Sequence, residues 1–90
     1  MRFEKAQIVR SLSGHDRGEL FCVMDTDGER LLLADGKRRR VSSPKRKNVK
    51  HVTSAGDWEH PILEKVRAGQ PVGDKELRTV LAQIRDKMEV

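Results

Sequence analysis

The chain has 90 residues, of which 36% are hydrophobic and 37% charged, with a formal net charge of +5. A chain this short hides only about 60–65% of its extended surface on folding, which does not suit a large enzyme core with a deep cleft. The apolar residues nevertheless come in ordered patterns, which argues against disorder, and the basic balance favours an anionic partner.

The first half reads as strands. Ala6–Leu12 is short, β-branched at two sites and ends at Ser13-Gly14. Leu20–Met24 is a continuous apolar run between Gly18 and Asp25, and Leu31–Ala34 is another. Asp27-Gly28 lies between them and predicts a hairpin, because such turns need positive φ. Asp35-Gly36 repeats the signal and predicts that Lys37–Val41 folds back on the third strand. Three or four short strands in about 50 residues suggest a small barrel.

The second half reads as helices. Pro61 suits a first helical position, Ile62, Leu63 and Val66 follow on one face, and Gly69 is a C-terminal stop. Asp74 is placed to cap the next helix. There Leu77, Val80, Leu81, Ile84 and Met88 form an apolar stripe, with Lys75, Arg78, Arg85 and Lys87 outside it. The two helices, joined by Gln70–Gly73, form a hairpin whose stripe must bury against the barrel. Trp58, just before the first helix, is expected to plug the seam between the two parts.

Charge divides the chain in the same place. Residues 1–54 carry a net +6 and residues 55–90 a net −1. Between Gly36 and Gly56 there is no acidic residue, and that window holds Lys37, Arg38, Arg39, Arg40, Lys45, Arg46, Lys47 and Lys50, with His51 as a further titratable group. A run of like charges is usually a solvated face. Here it is not terminal, it lacks neutralising carboxylates, and Val41, Val49 and Val52 pin it to the fold, which suits phosphate contacts. Pro44 fixes the backbone where Lys45–Asn48 is expected to turn, and Asn48 can bond a base or a sugar as well as a turn. The segment Ser13–Gly18 reads either as a polar loop between strands or as a loop that brings backbone N–H groups, His15 and Arg17 to a phosphate backbone.

No catalytic or metal constellation is present in the sequence. His15 beside Asp16 is a common pair, His51 and His60 have no partners at ligand spacing, and Cys22 lies in an apolar run as a small core side chain. Neither enzyme chemistry nor a cofactor is expected. The lone cysteine excludes an intrachain disulfide and suits a reducing compartment. The charged first ten residues do not read as a signal peptide, and no apolar stretch approaches membrane-spanning length, so a soluble, cytoplasmic monomer is expected. With only Phe3, Phe21 and Trp58, the chain has no aromatic platform for single-stranded RNA.

The segment Ile8–Val23 resembles the KOW motif, in which an alternating strand leads through a glycine-containing loop to a second apolar strand. Gly18 matches the characteristic glycine. The continuation Leu33–Arg40 and Pro44–Val52 resembles the bacterial KOW proteins akin to the eukaryotic and archaeal large-subunit ribosomal protein fourteen. The resemblance covers about residues 6–53. It implies a translation-protein SH3-like barrel that binds ribosomal or other structured RNA without catalysis, in contact with ribosomal proteins as a second partner class. Ala6 departs from it, since many KOW sequences carry glycine there, and residues 57–90 lie outside it.

The expected fold is therefore mainly β with α: a small SH3-like KOW barrel over residues 1–54, and a helical hairpin over 55–90 packed on it as a stabilising appendage. The expected function is RNA binding in the translation apparatus. Lys37, Arg38, Arg39, Arg40, Lys45, Arg46, Lys47 and Lys50 would contact phosphates, with His15, Arg17, Asn48 and His51 as secondary contacts. Two rivals stand beside it: a protein-interaction adaptor that uses barrel and hairpin, and a DNA-binding protein, although no recognition helix carries the basic window.

Overall fold

The computed structural model describes residues 3–88. Five antiparallel strands form one sheet in the order β4-β3-β2-β1-β5: β1 Ile8–Ser11, β2 Leu20–Asp27, β3 Arg30–Ala34, β4 Lys45–Asn48 and β5 Val52–Ser54. A turn of 3-10 helix, Val49–His51, joins β4 to β5, and α1 Pro61–Arg67 and α2 Asp74–Met88 follow.

The β2–β3 hairpin forms as the sequence predicts, with Asp27 opposite Arg30 and Gly28-Glu29 at its tip. Gly28 supplies the positive φ, 61°, at the first central position. The apolar run of β2 does not alternate because Leu20–Val23 is buried on both faces. A bulge between Val23 and Asp25 ends that stretch, and Asp25–Asp27 extends into solvent.

The register sorts the side chains. Ile8 lies opposite Cys22, and Cys22 opposite Ala34. These three, with Leu20 and Ala6, pack against Leu63 and Val66 of α1 and Leu77, Val80, Leu81 and Ile84 of α2. The helical stripe thus buries on an outer face of the sheet, at roughly 1.5–3 kcal/mol for each large side chain removed from water. Met88 alone leaves the stripe and is exposed. Val9, Phe21, Val23, Leu31 and Leu33 form a second cluster on the other face, closed by Phe3 and Val52.

That second cluster lies inside a curl. β4 and β5 are opposite edges of the sheet, yet only three residues separate them. One 3-10 turn advances about 6 Å, so the two edges converge at one corner. No ladder joins β4 to β5 among the described residues. The sheet is strongly curled and is not closed into the barrel that the sequence leads one to expect.

Three local expectations change. Lys37–Val41 is a loop rather than a strand, because the Asp35 carboxylate accepts hydrogen bonds from the backbone N–H of Lys37 and Arg39, both at 2.9 Å. The N–H groups of Asp35 and Gly36 in turn donate to the Arg39 carbonyl. A side chain that satisfies the backbone locally removes the need for a ladder. The fourth strand comes later, and Lys45–Asn48, expected to turn, is β4 itself; Pro44 sits just before it, where a missing N–H is tolerated. Asp74 does not cap α2. The Gly73 N–H donates to Glu76, while the Asp74 carboxylate accepts from the Val41 N–H at 2.7 Å.

Pro61 opens α1 as expected, with the His60 ring accepting from the Ile62 N–H as its cap. Trp58 is half-buried against the helix-side cluster and donates to the Ala55 carbonyl at 2.8 Å. Ala6 is buried at φ 73°, a left-handed conformation that favours glycine. No helix among the described residues is long and apolar enough to cross a membrane.

Candidate nucleic-acid interface

The basic window divides into a loop, a strand and a turn, and each treats its cations differently. The loop Asp35–Val41 is closed on itself by the Asp35 and Arg39 hydrogen bonds and clamped onto the first turn of α2. A Cβ on Gly36, at φ 77°, would lie 2.3 Å from the Asp74 carbonyl oxygen, so only glycine permits this approach. Arg78 of α2 donates to the Gly36 carbonyl at 2.6 Å. Lys37, Arg38 and Arg40 are exposed on this rigid loop, and Arg39 is half-buried.

On β4 the two-residue period separates the cations. Lys45 and Lys47 lie opposite Leu33 and Leu31 and share their face. Lys47 is buried, 8% exposed, and its ammonium donates to Ser11 Oγ, the Ser13 carbonyl and Asp16 Oδ1 at 2.8, 2.8 and 3.0 Å. All three of its donors are used within the protein. Lys45 donates to the other Asp16 oxygen at 2.8 Å. Lys47, expected to contact phosphate, is therefore a structural tie between β4 and the β1–β2 loop, and Lys45, its side chain 25% exposed, joins the same carboxylate through one of its three donors. Arg46, on the opposite face, is exposed.

Asp16 is the residue that sequence reasoning missed. It is buried, 4% exposed, and also accepts from Ser11 Oγ. Burial alone would raise its carboxyl, but the hydrogen bonds from Lys45, Lys47 and Ser11 and the Lys47 charge outweigh it and hold the group well below the usual carboxylate range. The signal in the sequence was weak: an aspartate in a polar loop, with its partners some 30 residues away. This network fixes the Ser13–Gly18 loop and leaves His15 and Arg17, on either side of Asp16, exposed.

At the far end of β4, Asn48 accepts from the Lys50 N–H at 3.0 Å and caps the 3-10 turn. The turn contact offered for Asn48 by the sequence is the one its side-chain oxygen makes. Lys50 and His51 are exposed on the turn, and the His51 carbonyl accepts from the Leu12 N–H, which brings the turn beside the start of the Ser13–Gly18 loop. Leu12, 47% exposed, is the largest apolar exposure there.

The second omission is on α2. Arg78 and Arg85 line an open groove of about 400 Å³ together with Lys37 and Arg38, with Glu19 and Asp35 also on its rim. Their seven-residue spacing puts them on one helix face, and Ala82 between them leaves the space. Lys37, Arg38, Arg40, Arg46, Lys50, Arg78 and Arg85 form no ion pair among the described residues.

No family model and no curated protein matches this chain.

Proposed function

We propose that the protein is an RNA-binding module of the translation apparatus that contacts the phosphate backbone through a basic face. The observation that carries this reading is the acid-free window Gly36–Gly56, from which Lys37, Arg38, Arg40, Arg46 and Lys50 project into solvent without carboxylate partners among the described residues. Cations held on a fixed framework and left unneutralised serve phosphate contacts better than they serve folding.

The KOW resemblance supports the same reading. It implies an SH3-like barrel, and pairing of the first strand with the last, with a single turn linking the two sheet edges, suits that architecture. The one departure from the motif, Ala6 in place of glycine, falls where the backbone has positive φ, the conformation that a glycine would supply. The adaptor reading draws less support, because the helical stripe is consumed by the sheet and offers no broad apolar face.

The test is fluorescence anisotropy with a labelled hairpin RNA across a salt series. Five neutralised phosphates give a log–log slope of about −3.5 on looped RNA, so a fourfold rise in salt weakens binding roughly a hundredfold. An affinity indifferent to salt overturns the proposal, and tighter binding to duplex DNA than to structured RNA moves it to the DNA-binding rival.

A further inference from the structure

The groove between the Asp35–Arg38 loop and α2 is built from two elements that the chain separates by some 40 residues. Its two walls carry like charge: Lys37 and Arg38 on one, Arg78 and Arg85 on the other. Folding brings these four cations together although their mutual repulsion opposes it, and no carboxylate pairs with any of them among the described residues. Glu19 and Asp35 also line the groove, so four cations against two carboxylates leave it a net charge of +2, and Asp35 Oδ1 is turned to the backbone N–H groups of Lys37 and Arg39.

The groove is also preformed. The loop wall is fixed by the Asp35 and Arg39 hydrogen bonds, by the Gly36 approach to the Asp74 carbonyl and by the Val41 bond to the Asp74 carboxylate. The other wall is a helix anchored by Leu77, Val80, Leu81 and Ile84. The walls need no rearrangement to receive an anion, which leaves mainly side-chain freedom to be lost on binding. Two rows of cations on facing walls fit an anion that continues through the groove, as a sugar–phosphate chain does.

We infer that this groove seats a segment of the RNA backbone, with Arg78 and Arg85 of α2 forming half of the contact surface. The inference rests on the RNA-binding reading and changes its geography. The C-terminal helix is then part of the interface as well as of the core, and the path of the RNA leaves Lys45 and Lys47 aside.

The experiment compares Lys37→Gln, Arg85→Gln and Lys87→Gln in the full chain, with the same labelled hairpin RNA over a salt series. Arg85 and Lys37 are exposed without ion-pair partners, so their replacement leaves folding intact, which melting curves check. Lys87 removes the same charge from the other flank of the buried stripe. Lys37→Gln and Arg85→Gln each weaken binding about tenfold at 0.1 M salt and flatten the log–log slope by about 0.7, while Lys87→Gln changes neither. If Arg85→Gln matches Lys87→Gln while the wild-type chain binds RNA with a steep salt slope, the groove is not the site and the RNA-binding reading stands. If the wild-type chain itself shows no salt-dependent RNA binding, both fall.

Discussion

Lys47 Nζ lies 3.0 Å from Asp16 Oδ1, with both side chains buried, so a cation from the most basic strand is spent on holding the β1–β2 loop. The folded carboxyl titrates below its ordinary value of 3.8, so on acidification the unfolded chain takes up its proton first. The stability this group contributes is complete above the unfolded value and is lost as pH falls through the lowered one. Acid unfolding should therefore steepen below about pH 4. Asp16→Asn strands a buried ammonium and should cost about 3 kcal/mol at pH 7. The gap between variant and wild type should narrow below about pH 4, as urea titrations at several pH values will read. A constant gap would mean that Asp16 is not ionised in the fold.

Gly36 is the point where the basic loop meets α2. A methyl group there meets a backbone carbonyl that cannot retreat, on a residue whose φ of 77° already disfavours a side chain. Gly36→Ala should cost more than about 2 kcal/mol. Gly18→Ala shares the positive φ but meets nothing within 4 Å, so it isolates the conformational part. Equal losses in the two variants would show that the loop is not clamped on the helix.

Much of the fold was legible because its signals are local. The β2–β3 hairpin, both helices and the buried stripe follow from periodicity and from Asp27-Gly28, Pro61 and Gly69. The misplaced fourth strand was a competition invisible at that level: Asp35 could start a hairpin or bond the loop's own backbone, and it does the latter. The site was legible as composition but not as geometry. Eight cations in one window could be counted, but the face each takes depends on the β4 register, and the burial of Lys47 depends on Asp16. Arg78 and Arg85 read as the solvent side of an amphipathic helix, because nothing local says that a basic loop docks beside them.

Cys22 tests the integrity of the sheet's centre. It is fully buried between the strands and the helices, and burial pushes its thiol up to about 12, only partly offset by the Arg67 charge. At pH 8 the native thiol should resist a disulfide reagent and react only as the protein unfolds, so the labelling rate should rise with urea in step with the loss of structure. Immediate labelling in buffer would place Cys22 in a region that opens locally.

Interface and scaffold should separate by mutation. Replacing Arg38, Arg39 and Arg40 with Gln removes exposed or half-exposed charges, each worth about 0–1 kcal/mol to folding. The melting temperature should move by less than about 5 °C while RNA affinity falls. Leu33→Ala, in the second cluster, should cost about 2–5 kcal/mol. If the triple variant unfolds instead, the arginine stems are covering the edge of the core.

The last expectation concerns residues 55–90. The helices supply half of the cluster that buries Ile8, Leu20, Cys22 and Ala34, and Asp74 and Arg78 hold the basic loop. A chain ending at Ser54 would leave that face of the sheet in water and the loop without its anchor. The second cluster alone contains seven buried residues, and a chain of about 50 residues with a single small core and one uncovered sheet face is marginal. The shortened chain should therefore show no cooperative melt and no hairpin-RNA binding. Adding the 55–90 segment in trans should restore both in a concentration-dependent way, since binding to the folded state alone stabilises it. A cooperative melt of the shortened chain near that of the full one would show that the curled sheet is self-sufficient. If it also kept the full salt slope, the contacts would lie entirely on the sheet and its loops, and α2 would have no part in the interface.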